Sequence, residues 1–160
     1  MKILYINILY APYIYGGAER TLQILVEGMA QQNHEVTVLT IGPDTGIRED
    51  NVNGVRVIRV GLRNIYNIYW QNERNKSSGF KRALWHILDI YNPFMKKIVA
   101  NVVRQEKPDV VSMHNLSGFS VSAWEATQQA CVPIVQVLHD QYLLCPRCTM
   151  FKNDRVCEHQ

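Results

Sequence analysis

The sequence predicts an α/β fold: a doubly wound, mostly parallel sheet with helices on both faces. Three observations carry this. Short β-branched runs (KILYINIL, EVTVLTI, VRVIRV, DVVSMH and PIVQVL) recur along the chain. Longer stretches with apolar residues at helical spacing separate most of them, the pattern of parallel strands joined by helical crossovers. The first run is apolar almost throughout, as a strand covered on both faces has to be. The 160 residues, 47% hydrophobic and 19% charged, suit one domain with one core and show no signature of disorder.

Taken in order, Lys2 to Leu9 reads as the buried first strand, and Ala11 to Gly17, with Pro12 and the pair Gly16-Gly17, as a loop. Ala18 to Gln32 is helical, because Leu22, Leu25, Val26, Met29 and Ala30 fall on one stripe. Asn33-His34 breaks it, and Glu35 to Ile41 is a second strand. Gly42 to Gly46 is a turn-rich loop, and Asn53-Gly54 makes a tight turn feeding a third strand, VRVIRV. Arg56 and Arg59 mark that strand as a partly exposed edge. Leu62 to Gly79 is polar, aromatic and aperiodic, and is expected to form a long loop. Phe80 to Glu106 is helical, kinked or split at Pro93, which lacks a backbone donor and clashes with the preceding turn. Asp109 to His114 is a fourth strand, Ser117 to Ala130 a third helix, Pro133 to Leu138 a fifth strand, and His139 onward loop. With right-handed crossovers and the first strand near the centre, this order gives a Rossmann-like sheet.

Composition excludes several classes. A formal net charge of +3 is too small for a phosphate-tracking surface, so no nucleic-acid partner is expected. No apolar run approaches the roughly 20 residues that cross a bilayer. Met1 to Tyr10 superficially resembles a leader but lacks a small-residue cleavage site and carries Asn7 in mid-run, so a buried strand is the better reading and a cytoplasmic location is expected. Phe80 to Lys107 carries Lys81, Arg82, Lys96, Lys97, Arg104 and Lys107 beside Trp85 and Phe94. Such a helix suits either an ordinary solvated face or a peripheral contact with anionic lipid at the inner membrane surface.

Ligands of open α/β sheets bind beyond the carboxyl ends of the strands. The first strand runs there into Tyr15-Gly16-Gly17-Ala18-Glu19-Arg20, the fourth into His114-Asn115 and the fifth into His139-Asp140, so the chemically loaded residues converge on one rim. Gly16 and Gly17 open a helix, whose N-terminal amides suit a phosphate; a plain tight turn is the alternative. There is no GxGxxG dinucleotide fingerprint. Glu19 favours the helix dipole, and Glu19 with Arg20 could instead grip sugar hydroxyls. His114 and His139 at neighbouring strand ends suggest a polar pocket rather than two separately satisfied histidines. The tail holds Cys145, Cys148, Cys157 and His159, which could supply four zinc ligands; free thiols or one disulfide are the plainer reading.

The stretch YAPYIYGGAERTLQILVEGMAQQNHEVTVLT, followed by DVVSMHN and by VPIVQVLHDQYLLCPR, resembles the N-terminal domain of the GT-B glycosyltransferases of family 4, in particular the bacterial branch that builds surface polysaccharides. The resemblance covers nearly the whole chain, least in Leu62 to Lys107. It implies two Rossmann-like domains around a cleft, the C-terminal one binding the nucleotide sugar and the N-terminal one the glycan or lipid-linked acceptor. It also implies transfer with retention and no metal or other cofactor. On the matching positions it implies Gly16 and Gly17 at the donor diphosphate and His139 beside the transferred sugar, supporting developing charge. Tyr15, Glu19, Arg20, His114, Asn115 and Asp140 would line the acceptor side. Residues 1–160 are then expected to be a single, truncated acceptor-side domain without its donor-binding partner domain, inactive alone. Two other readings stay open: a nucleotide-binding or regulatory Rossmann module without transferase chemistry, and a zinc-dependent interaction module using the tail.

Overall fold

A computed structural model of the chain describes residues 1–67, 69–70, 78–141, 145, 149–152 and 154–157. Its elements are β1 (Lys2–Ile6), α1 (Gly17–Gln31), β2 (Glu35–Gly42), β3 (Ile47–Val52), β4 (Val55–Gly61), α2 (Gly79–Ile90), α3 (Pro93–Glu106), β5 (Val110–Met113), α4 (Ser122–Gln129), β6 (Ile134–Gln136), β7 (Phe151–Lys152) and β8 (Arg155–Val156). The main sheet has the order β3-β4-β2-β1-β5-β6, and β7 and β8 form a separate hairpin. All pairings in the main sheet are parallel except β3 with β4. The expected α/β, doubly wound, mostly parallel Rossmann-like sheet is therefore the observed one.

Alternation along β1 divides the core. Leu4 and Ile6 face α3 and α4, packing with Met95, Val99, Val103, Phe119 and Ala123. Ile3 and Tyr5 face α1, packing with Leu22 and Val26. Side chains on a strand point alternately to opposite faces, so one apolar run supplies both layers. Beyond β1, residues Asn7 to Ala11 remain buried. Asn7 is fixed there because its side-chain amide donates to Leu9 O at 2.6 Å and its Oδ1 accepts from Asn115 N at 2.9 Å.

Several expectations are corrected. The edge of the sheet is not VRVIRV but β3, IREDNV, which pairs antiparallel with β4 through the Asn53-Gly54 turn. Gly54 there has φ +85° and Asn53 φ 52°. The strand escaped the sequence reading because its charges show no apolar alternation, and an edge strand tolerates that. β4 lies inside the sheet, and Arg59 is 3% exposed. The expected split of the long helical region at Pro93 is present: Tyr91 and Asn92 separate α2 from α3, where Asn92 caps α3 by accepting from Phe94 N and Met95 N, both at 3.1 Å, with Pro93 in the first turn. The third expected helix begins later, at Ser122, after a turn that contains Gly118 (φ +84°) and Ser120 (φ 67°). The tail includes the β7–β8 hairpin rather than loop alone.

Candidate functional site

The carboxyl ends of β1, β5 and β6 are neighbours in the sheet, so the residues that follow them meet on one rim. His114 follows β5 and His139 lies three residues beyond β6. Their rings stack, with centroids 5.1 Å apart at 24°, and His114 Nδ1 lies 2.8 Å from His139 Nε2. Ser112 Oγ lies 3.2 Å from His114 Nε2. A neutral imidazole carries one N–H, so the proton chain runs from Ser112 through His114 to His139 or the reverse. Burial, then the charge on His139, pushes the His114 pKa down to about 4, so this ring is neutral in ordinary conditions. Gln136 locks the corner: its Nε2 donates to His114 O at 2.8 Å, and its Oε1 accepts from Trp124 Nε1 at 2.9 Å.

The residues predicted for the rim divide by burial. His114 is 3% exposed and contacts Ser112 and His139, so little of it reaches the surface. His139 and Asn115 are half-buried, and Asp140, Tyr15, Arg20, Gly16 and Gly17 are exposed. Glu19 is buried and its Oε2 accepts from Gly16 N at 2.8 Å, the reciprocal half of a capping box. Its carboxylate is thereby committed to holding the entry of α1. A shallow depression beside the histidines is lined by His114, Asn115, Gln136, Val137, Leu138, His139 and Asp140. Gly16 has an extended backbone that any residue adopts (φ -156°), and a Cβ on Gly17 would meet nothing within 4 Å. The fold itself requires glycine at neither position.

Of the four tail residues considered as zinc ligands, Cys148 and His159 lie outside the described residues. Among the described residues, no group of three or more His, Cys, Asp or Glu stands close enough to hold a metal ion. No described helix is long and apolar enough to cross a membrane.

Sequence reasoning missed a second group of residues on the same rim. Arg59 of β4 donates to Tyr10 O and Ala11 O, in the segment after β1, and to Asp50 of β3. Its guanidinium lies 5.1 Å from the centre of the Tyr13 ring. Tyr13 stands edge-on to Trp70 at 5.3 Å, and Tyr15 donates its hydroxyl to Tyr69 O at 3.0 Å. The one signal in the sequence was an arginine in an otherwise apolar run, read there as an edge marker.

Residues 16–156 match the profile of a glycosyl transferase 4-like domain. An uncharacterized 42.6 kDa protein from the cps region of Klebsiella pneumoniae is 35% identical over 153 residues, which is 96% of this chain and 40% of that protein. An uncharacterized glycosyltransferase of Methanocaldococcus jannaschii is 43% identical over 60 residues, 38% of this chain and 15% of that protein. The chain thus spans less than half the length of either relative. Among solved structures, sucrose-phosphate synthase from Thermosynechococcus elongatus superposes with a TM-score of 0.61 at 15% identity, over 89% of this chain and 34% of that one. The catalytic domain of starch synthase IV from Arabidopsis thaliana gives 0.55 at 12% identity, over 88% and 34%. At these identities the likeness is one of fold.

Proposed function

This chain belongs to the glycosyl transferase 4-like family, and from that premise we propose that it is the acceptor-side domain of a retaining glycosyltransferase of polysaccharide synthesis. In this reading a second domain brings a nucleotide sugar to the rim, and a glycan or lipid-linked acceptor attacks it. The bond from the sugar's anomeric carbon to the diphosphate breaks, the bond to the acceptor oxygen forms, and the acceptor's proton leaves with the nucleotide diphosphate. The observation that carries the reading is the Ser112–His114–His139 chain at the carboxyl ends of β5 and β6. His139 is the half-buried member and faces the transferred sugar. His114 is the positioning residue that fixes its ring and tautomer. Developing positive charge on the sugar is met by the polar ring edge of His139, held in place by its contact with His114. Gly17, with open space beside it, leaves room for the donor diphosphate at the amino end of α1, next to Gly16, whose N–H is taken by Glu19. Tyr15, Arg20, Asn115 and Asp140 remain on the acceptor side, whereas Glu19 and His114 act behind it.

The test is transfer by the full-length protein with a panel of nucleotide sugars and acceptors. His139→Ala is expected to lower kcat/KM at least tenfold, about 1.4 kcal/mol of transition-state stabilisation, with the fold intact. Unchanged activity would make His139 structural and require the site to be redrawn.

A membrane contact is supported by a different face. Phe80, Ile87 and Ile90 of α2 and Phe94 of α3 are exposed, with Lys81, Arg82 and Lys97 exposed nearby. Lys96 is not part of this face, because its ammonium pairs with Glu125 at 2.5 Å. The reading is a peripheral contact with anionic lipid. Vesicles rich in phosphatidylglycerol should co-sediment the protein and release it on Phe80→Glu with Ile87→Glu. Vesicles that leave the unaltered protein in solution would remove the idea.

A further inference from the structure

The same rim carries a cavity of about 310 Å³ on the far side of β1 from the histidines. Its walls come from the segment after β1 (Pro12, Tyr13), the loop after β2 (Gly42 to Gly46) and the β3–β4 pair (Arg48, Asp50, Arg59). The volume sits at the lower end of the ~300–1,000 Å³ of small-ligand sites, enough for one small polar molecule. We propose that this cavity is a subsite for a neutral sugar residue of the acceptor. The proposal rests on the transferase reading and narrows its acceptor.

Charge decides against an anion. The charged side chains on the wall are Asp44, Arg48, Asp50 and Arg59, two acids and two bases. Asp50 accepts from both arginines, from Arg48 Nε at 3.0 Å and from Arg59 Nε. Arg59 also donates to two backbone carbonyls, so its charge is compensated within the protein. A phosphate would find no surplus positive charge, and it would meet the exposed carboxylate of Asp44. What the wall does offer suits a polyol. Tyr13 supplies an apolar ring, held from below by Arg59 and from the side by Trp70, against which the C–H face of a pyranose packs. Asp44 and Arg48, exposed on the wall, supply hydrogen-bonding groups for the hydroxyls of a sugar. Because Arg59 ties the cavity floor to Tyr10 and Ala11, an occupant is registered to the segment that leads into Gly16-Gly17.

The chain is titrated with a panel of neutral methyl hexopyranosides and separately with inorganic phosphate, with saturation-transfer NMR and Trp fluorescence as readouts. At least one neutral glycoside should receive saturation, and Asp44→Ala and Arg48→Ala, both at exposed positions, should each weaken it at least fivefold. Phosphate should not compete. Folded protein that takes up no glycoside, binding indifferent to both substitutions, or competition by phosphate would overturn the subsite. In the full-length protein the same substitutions should raise the acceptor KM at least fivefold with the donor KM unchanged. Transfer whose acceptor KM ignores them would defeat the subsite and leave the transferase reading standing. Glycoside binding without transfer to any acceptor would do the reverse.

Discussion

At the scale of single residues, the histidine pair makes a prediction about acid stability. His114 in the folded chain takes up a proton at about 4, whereas an unfolded histidine does so near 6.5. Between those values the unfolded chain binds more protons, so the contribution of His114 to stability is in place above pH 6.5 and lost as pH falls towards 4. The loss should be about 2 kcal/mol between pH 7 and pH 5, read as a falling urea midpoint. His114→Gln should flatten that slope whatever it does to stability at pH 7; parallel slopes would show that His114 is not the responsible group. The residue types on this rim were legible in the sequence because each follows an apolar run. Their burial was not. Spacing cannot say that His114 turns inward onto Ser112 while His139 stays half-open, because that depends on which neighbouring strand end stands opposite, a tertiary fact. The bond between the Glu19 carboxylate and Gly16 N is local, three residues apart, and was overlooked in favour of the helix dipole.

At the scale of elements, the loop after β2 is held against the end of β4 through Gly61, whose N–H donates to Gly46 O at 2.8 Å. A Cβ on Gly61 would lie 2.5 Å from the carbonyl carbon of Thr45 and 2.6 Å from Asp44 O, backbone atoms that cannot rotate away. Gly61→Ala should therefore cost about 1–3 kcal/mol, seen as a lower Tm, because the loop has to shift. Gly46→Ala, which meets nothing within 4 Å, should stay within about 0.5 kcal/mol. The elements with an apolar stripe or run (β1, α1, β2, β4, α3, β5) were readable because burial imposes a period on the sequence. β3 was not, since an edge strand of Arg, Glu and Asp has no such period. The second cavity was missed for the same reason: β3 supplies Arg48 and Asp50, and without that strand the carboxylate partner of Arg59 is not visible. The break between α2 and α3 was expected at Pro93, and its mechanism, an Asn92 cap, became visible only with the backbone in place.

For the whole molecule, the transferase reading and the nucleotide-module reading separate on one titration. If donor binding needs a second domain, this chain alone should bind uridine or guanosine diphosphate more weakly than about 1 mM, some −4 kcal/mol. A micromolar Kd by calorimetry would favour the nucleotide-binding module. The sheet is also asymmetric in a way that bears on handling the protein. Its β3 border is lined with charge, while its β6 border is three residues long, carries the half-exposed Val135 and, among the described residues, pairs only with β5. Unpaired amides and carbonyls on a neutral border are a template for another chain's strand. Concentrated samples of these residues should therefore self-associate, with sedimentation coefficients rising with loading. Val135→Lys should suppress that growth, making colloidal behaviour a readout of which border the sheet leaves open.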